Sequence, residues 1–67
     1  MLGVVRWFSS EKGYGFIDGH DNQQYFIHYK EISSPTSPRN LFDGQKVDFQ
    51  PGKSEKGLIA QRVAAID

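Results

Sequence analysis

Apolar and polar residues alternate along this chain in short runs at the two-residue period of β-strands. Residues 45–50 show it most cleanly: Val47 and Phe49 point one way, and Lys46, Asp48 and Gln50 the other. Residues 4–8 form a first strand of β-branched and aromatic side chains. Trp7 and Phe8 are consecutive there and cannot both face one simple interior. Residues 14–18 and 24–29 predict the second and third strands. Residues 58–65 predict a fifth of ambiguous phase, with Ile59 and Val63 on one face and Leu58 and Ala60 on the other. Ser9-Ser10-Glu11-Lys12-Gly13 and Gly19-His20-Asp21-Asn22-Gln23 carry turn chemistry. Lys30-Glu31-Ile32-Ser33 fits one helical turn that drops Ile32 into the core. Residues 33–40, with Pro35, Pro38 and a run of hydroxyl side chains, form a loop. Pro51-Gly52-Lys53-Ser54-Glu55-Lys56-Gly57 reads as an exposed turn.

Three strands joined by short turns make an antiparallel meander, and two more strands allow it to close. The expected fold is all-β, a five-stranded antiparallel Greek-key barrel of the OB type, with an SH3-like barrel as the alternative. Val5, Ile17, Ile27, Ile32, Leu41, Val47, Phe49 and Val63 are the expected core. At 67 residues the chain is expected to form one domain spanning positions 1–67. A domain of this size hides only about 60% of its unfolded surface, so its stability is expected to be marginal.

The stretch Lys12-Gly13-Tyr14-Gly15-Phe16-Ile17 sets the function. On a strand Tyr14 and Phe16 share one face, while Gly13, Gly15 and Ile17 share the other. If Tyr14 and Phe16 lie opposite Phe26 and His28, cross-strand neighbours about 5 Å apart build one aromatic surface. The small glycines would let a strand of nucleic acid come close. A contiguous exposed patch of aromatic rings marks a binding site. Nucleobases suit it, because each has a flat apolar face and a polar rim. Bases in a duplex are already stacked on one another, so the expected target is single-stranded. Arg6, Lys12, Lys30 and Lys56 could border the patch and meet phosphates.

Charge changes the balance of forces. Eight Lys and Arg offset eight Asp and Glu, so stacking rather than phosphate neutralisation must carry most of the affinity. There is no cysteine, which removes disulfides and Cys-based zinc sites. His28 and the turn residue His20 are the only histidines, so no metal is expected and no cofactor. No motif frames a catalytic nucleophile, and an enzyme is not expected. No apolar run approaches the roughly 20 residues of a membrane span, and the first residues do not make a signal peptide. No membrane association and a cytoplasmic location are expected.

The central hexapeptide resembles the first ribonucleoprotein motif of the cold-shock proteins, Lys-Gly-Phe/Tyr-Gly-Phe-Ile. Tyr25-Phe26-Ile27-His28-Tyr29 resembles their second motif, Val-Phe-Val-His-Phe. Arg6-Trp7-Phe8-Ser9-Ser10-Glu11 is similar to the family's Lys-Trp-Phe-Asn lead-in. Leu41-Phe42-Asp43-Gly44-Gln45-Lys46-Val47-Asp48-Phe49 is similar to its Leu-x-x-Gly-Gln-x-Val-x-Phe stretch. The resemblance covers nearly the whole chain. It implies an OB-like barrel that binds single-stranded RNA and DNA, prefers pyrimidine-rich strands, keeps transcripts unpaired as an RNA chaperone, and influences transcription and translation. By motif position it implies stacking by Trp7, Phe8, Tyr14, Phe16, Phe26, His28 and Tyr29, with Arg6 and Lys12 as charged contacts. Gln24, Lys30, Arg39 and Lys56 are secondary candidates.

Four departures from the family pattern stand out. The loop with Pro35 and Pro38 lacks the aromatic usual there. Gln24 replaces an acidic residue. Tyr25 replaces a core valine and brings a hydroxyl that needs a partner. Leu58-Ile59 replaces Pro-Gln, which removes a polar group near the edge of the aromatic surface. The chain is expected to act mostly as a monomer, with strand exchange between two chains through the proline loop left open. The alternative function is a protein-interaction barrel that uses the same aromatic patch on a peptide.

Overall fold

The computed structural model describes residues 1–33 and 41–66. Five strands form a closed barrel: β1 (Leu2–Ser9), β2 (Tyr14–Gly19), β3 (Gln24–His28), β4 (Lys46–Ser54) and β5 (Gly57–Ala65). Their order around the barrel is β1-β2-β3-β5-β4. β1 pairs antiparallel with β2 and β4, β2 with β3, and β4 with β5. The closing contact, β3 with β5, is parallel through Phe26 and Ile59. A 3-10 turn, Tyr29–Glu31, follows β3, and Ile32 after it is buried and bridges to Val63. All eight expected core residues are buried, and Tyr25 and Ala60 join them.

Two bulges set which residues face outward. On β1, Val5 lies opposite Ile17 and Trp7 opposite Phe16, so Arg6 is an extra residue. A bulge shifts the inward–outward alternation by one position. Val5 therefore points inward, Trp7 is exposed, and Phe8 turns back to pack against the core. That resolves the consecutive aromatic pair. On β5, Gln61 lies opposite Gln50 and Ala64 opposite Asp48, three steps against two. Arg62 sits within this excess at φ 50°. The shift lets both Ala60 and Val63 face the core, which neither phase read from the sequence allowed.

Residues 51–57 are not one exposed turn. β4 runs on to Ser54, and only Glu55 and Lys56 make the turn. Pro51 lies opposite Ala60, whereas β1 reaches β4 only at Lys46, Val47 and Asp48. Proline lacks an N–H but is tolerated where one side of a strand carries no ladder.

Tyr25 packs its ring on Phe49, with centroids 4.9 Å apart, and donates its hydroxyl to the Asp21 carboxylate at 2.5 Å. The hydroxyl thus has its partner at the end of the barrel, where the turn after β2 folds back. That bond holds the Asp21 carboxyl below its ordinary value. The same bond raises the Tyr25 hydroxyl above its own.

The glycines of the central motif serve packing rather than ligand approach. A β-carbon at Gly15 would run into the Trp7 carbonyl oxygen and, at 2.6 Å, the Phe8 α-carbon. One at Gly13 would meet the Tyr29 ring at 2.9 Å, and Gly13 also has φ 79°, a conformation that favours glycine.

Candidate nucleic-acid interface

β2 and β3 present their outward residues in register: Tyr14 opposite His28, and Phe16 opposite Phe26. Trp7 arrives beside them from β1, opposite Phe16, because of the Arg6 bulge. The rings form one contiguous cluster. Trp7 lies 5.9 Å from Tyr14 and 5.6 Å from Phe16, centroid to centroid. Phe26 lies 5.8 Å from Tyr14 and 5.7 Å from Phe16. All four contacts are edge-on or tilted, and aromatic quadrupoles disfavour a face-to-face sandwich. Trp7 is 37% exposed, and Tyr14, Phe16 and Phe26 are half-buried, so none is sealed inside the barrel.

A second pair extends the surface. His28 and Tyr29 have centroids 4.7 Å apart, and Tyr29 is 42% exposed. His28 Nδ1 accepts the backbone N–H of Lys30 at 3.2 Å, capping the 3-10 turn. With Nδ1 accepting, the neutral imidazole carries its proton on Nε2. The Tyr29 N–H donates to the Gly13 carbonyl at 2.8 Å, which ties the turn bearing Lys12 to this end of the surface.

The cations are distributed unevenly. Lys12, Lys30 and Lys56 are exposed and form no ion pair among the described residues. Arg6 is engaged: its Nε donates to both Asp18 carboxylate oxygens at 3.3 Å. Its charge is partly matched before any phosphate arrives. Arg39 lies outside the described residues, as does the proline loop. Phe8 is half-buried and packs against the core. Gln24 and Lys56 border a cleft at the far side of Phe16 and Phe26 that also includes Leu58 and Ile59.

The family resemblance puts Leu58-Ile59 near the edge of the aromatic surface, but the hydrophobic pattern alone does not make Ile59 the neighbour of Phe26. That neighbour relation comes from a parallel contact 33 residues apart in the chain, counted from Phe26↔Ile59, and no local pattern announces it. Phe42, 66% exposed on the turn before β4, was read only as a lead-in to the strand.

Comparison with known proteins decides the family. Residues 1–66 match the model of the "'Cold-shock' DNA-binding domain". The chain belongs to the cold-shock domain family. It is 45% identical over 65 residues to "Probable cold shock protein A" of Mycobacterium tuberculosis, covering 96% of each chain. It is 40% identical over 68 residues to "Cold shock-like protein CspB" of Escherichia coli, covering 100% of this chain and 94% of that protein. The solved structure "drosophila Unr CSD456" superposes with a TM-score of 0.71 over 98% of this chain at 20% identity. This chain spans 26% of that one, and at that identity the likeness shows the fold. Membership makes nucleic-acid binding the activity of this cold-shock domain, on a five-stranded OB-like barrel.

Proposed function

We propose that this cold-shock domain binds single-stranded RNA and DNA, preferentially pyrimidine-rich, by stacking unpaired bases on Trp7, Tyr14, Phe16, Phe26, His28 and Tyr29. Lys12, Lys30 and Lys56 meet phosphates along the path, and Arg6 does so in competition with Asp18. Phe8 supports the first strand from the core side. Acting in the cytoplasm, mostly as a monomer, the protein keeps transcripts unpaired and thereby influences transcription and translation.

The ring cluster of Trp7, Tyr14, Phe16 and Phe26 carries this reading. A barrel of this size has enough branched side chains to fill itself without those rings. Leaving them at the surface exposes apolar area that water disfavours and an unstacked base would cover. Competition against a labelled pyrimidine oligonucleotide tests it. Unlabelled single strands should displace the label, and the same sequence annealed into a duplex should not. Equal displacement by both would overturn the reading.

A further inference from the structure

Of the large hydrophobic side chains exposed among the described residues, Phe42 is the most exposed, at 66%. Its ring makes no aromatic contact with another described residue. A single exposed apolar side chain needs no explanation by itself. The way Phe42 is held sets it apart. The Gln45 N–H donates to the Phe42 carbonyl at 3.0 Å, and the Phe42 N–H donates to the Gln45 side-chain oxygen at 3.1 Å. Gly44, at φ 83°, lets this turn close. Two more bonds fasten the turn to β1. The Gly44 N–H donates to the Val5 carbonyl at 2.7 Å, and the Val5 N–H to the Gln45 carbonyl at 2.9 Å. Leu41, next in the chain, is buried in the core. The ring is therefore carried on a fixed backbone.

That backbone lies along the edge of β1 away from β2. Val5 precedes the Arg6 bulge that brings Trp7 to the surface. Across the barrel the rings thus run from Phe26 and His28 on β3, through Tyr14 and Phe16 on β2, to Trp7 on β1, with the Phe42 turn next beyond β1. We propose that Phe42 is a further stacking ring, taking an unpaired base at the end of the bound strand that lies past Trp7. The proposal rests on the stacking reading above and lengthens its path by one nucleotide. A strand that crosses from β3 to β1 leaves the cluster at the β1 edge, and Phe42 is the next ring there. A base on it would cover apolar area that folding leaves in water. No backbone ordering cost opposes the contact, because the turn is already fixed. Asp43, exposed beside the ring, repels a phosphate, so the contact is to the base alone.

Oligo-dT strands of about four to twelve nucleotides, within the range one OB barrel covers, test this by Trp7 fluorescence. For the unaltered protein, affinity should rise with length and then level off. Phe42→Ala should bind the shortest strands as well as before. It should level off one nucleotide sooner, at an affinity at least about fivefold lower, the lower end for one stacked base. Phe42→Tyr, which keeps a ring, should retain the full profile. The salt dependence should be the same in all three proteins, because no phosphate contact is lost. Thermal unfolding of both variants checks that the barrel persists. A Phe42→Ala profile identical to that of the unaltered protein, or a loss equal at every length, would overturn the Phe42 site while leaving the ring cluster standing. Failure of every strand to bind the unaltered protein would overturn the stacking reading itself.

Discussion

Phe16 and Phe26 stand opposite one another on β2 and β3, their ring centroids 5.7 Å apart at an interplanar angle of 74°. Each also touches a second ring, Trp7 for Phe16 and Tyr14 for Phe26. Removing either ring takes away a stacking face and loosens a neighbour. Phe16→Ala or Phe26→Ala should weaken single-strand binding by about 1–3 kcal/mol, a factor of roughly 5–150. Lys53→Ala, on the exposed end of β4, should change it by less than about 0.5 kcal/mol. Binding titrations on all three, with circular dichroism as a folding control, make the comparison. Equal losses would contradict the surface.

The salt dependence of binding follows from the charges. With Arg6 held by Asp18 and Lys12, Lys30 and Lys56 exposed, the proposed binding mode predicts about three or four phosphate contacts. The logarithm of affinity should then fall against the logarithm of salt with a slope of about −2 to −3 for single strands. A slope near −7, as for about ten contacts, would mean that charge rather than stacking dominates. Asp18→Asn should free Arg6 and steepen the slope.

The Tyr25–Asp21 hydrogen bond gives stability a pH signature at both ends. The Asp21 carboxyl lies below its ordinary value in the folded chain, chiefly because Tyr25 donates to it. It therefore favours folding above the unfolded value of about 4, and this contribution disappears as pH falls through the lowered folded value. The Tyr25 hydroxyl is raised, chiefly by the same bond. Its contribution is complete below about pH 10 and is lost as pH rises through the raised folded value. Thermal midpoints measured across pH should fall off less steeply in acid for Asp21→Asn, and less steeply in alkali for Tyr25→Phe. Unchanged slopes would show that the bond does not persist in solution.

Arg62 at φ 50° tests the bulge on β5. A non-glycine residue in the left-handed region costs about 1–2 kcal/mol. Arg62→Gly should leave stability equal or higher, and Arg62→Val should lower it by about 1–2 kcal/mol or more, because a β-branched residue tolerates that region least. Chemical denaturation of the two variants gives the difference. An equally stable Arg62→Val would mean that the strand pairs without the bulge.

The parts of the fold legible in the sequence were those fixed by local period and turn chemistry. Val47 and Phe49 alternate with polar neighbours, and both are buried. Tyr14, Phe16, Phe26 and His28 share a face because a meander with short turns leaves little choice of register. The bulges were not legible. Nothing local in Val5-Arg6-Trp7 says that Arg6 will be skipped, and only pairing with β2 imposes it. Pro51 signalled a turn, yet it lies in β4 because its missing N–H faces the side without a partner strand. Gly15 suggested room for a ligand, and its reason is the Phe8 backbone crossing at close range. In the candidate site, the family resemblance put Leu58-Ile59 near the edge of the surface, but the pairing of Ile59 with Phe26 was not legible in the local pattern, because it comes from barrel closure, not from sequence proximity.

The fluorescence of Trp7, the sole tryptophan, reports most directly on whether bases stack on the cluster, since its ring lies within 6 Å of both Tyr14 and Phe16. Titration with oligo-dT or oligo-U should quench it strongly and saturably, while the matching duplex leaves it nearly unchanged. Emission that stays constant at high concentrations of single strand, or that falls equally with duplex, would contradict stacking of unpaired bases on this surface.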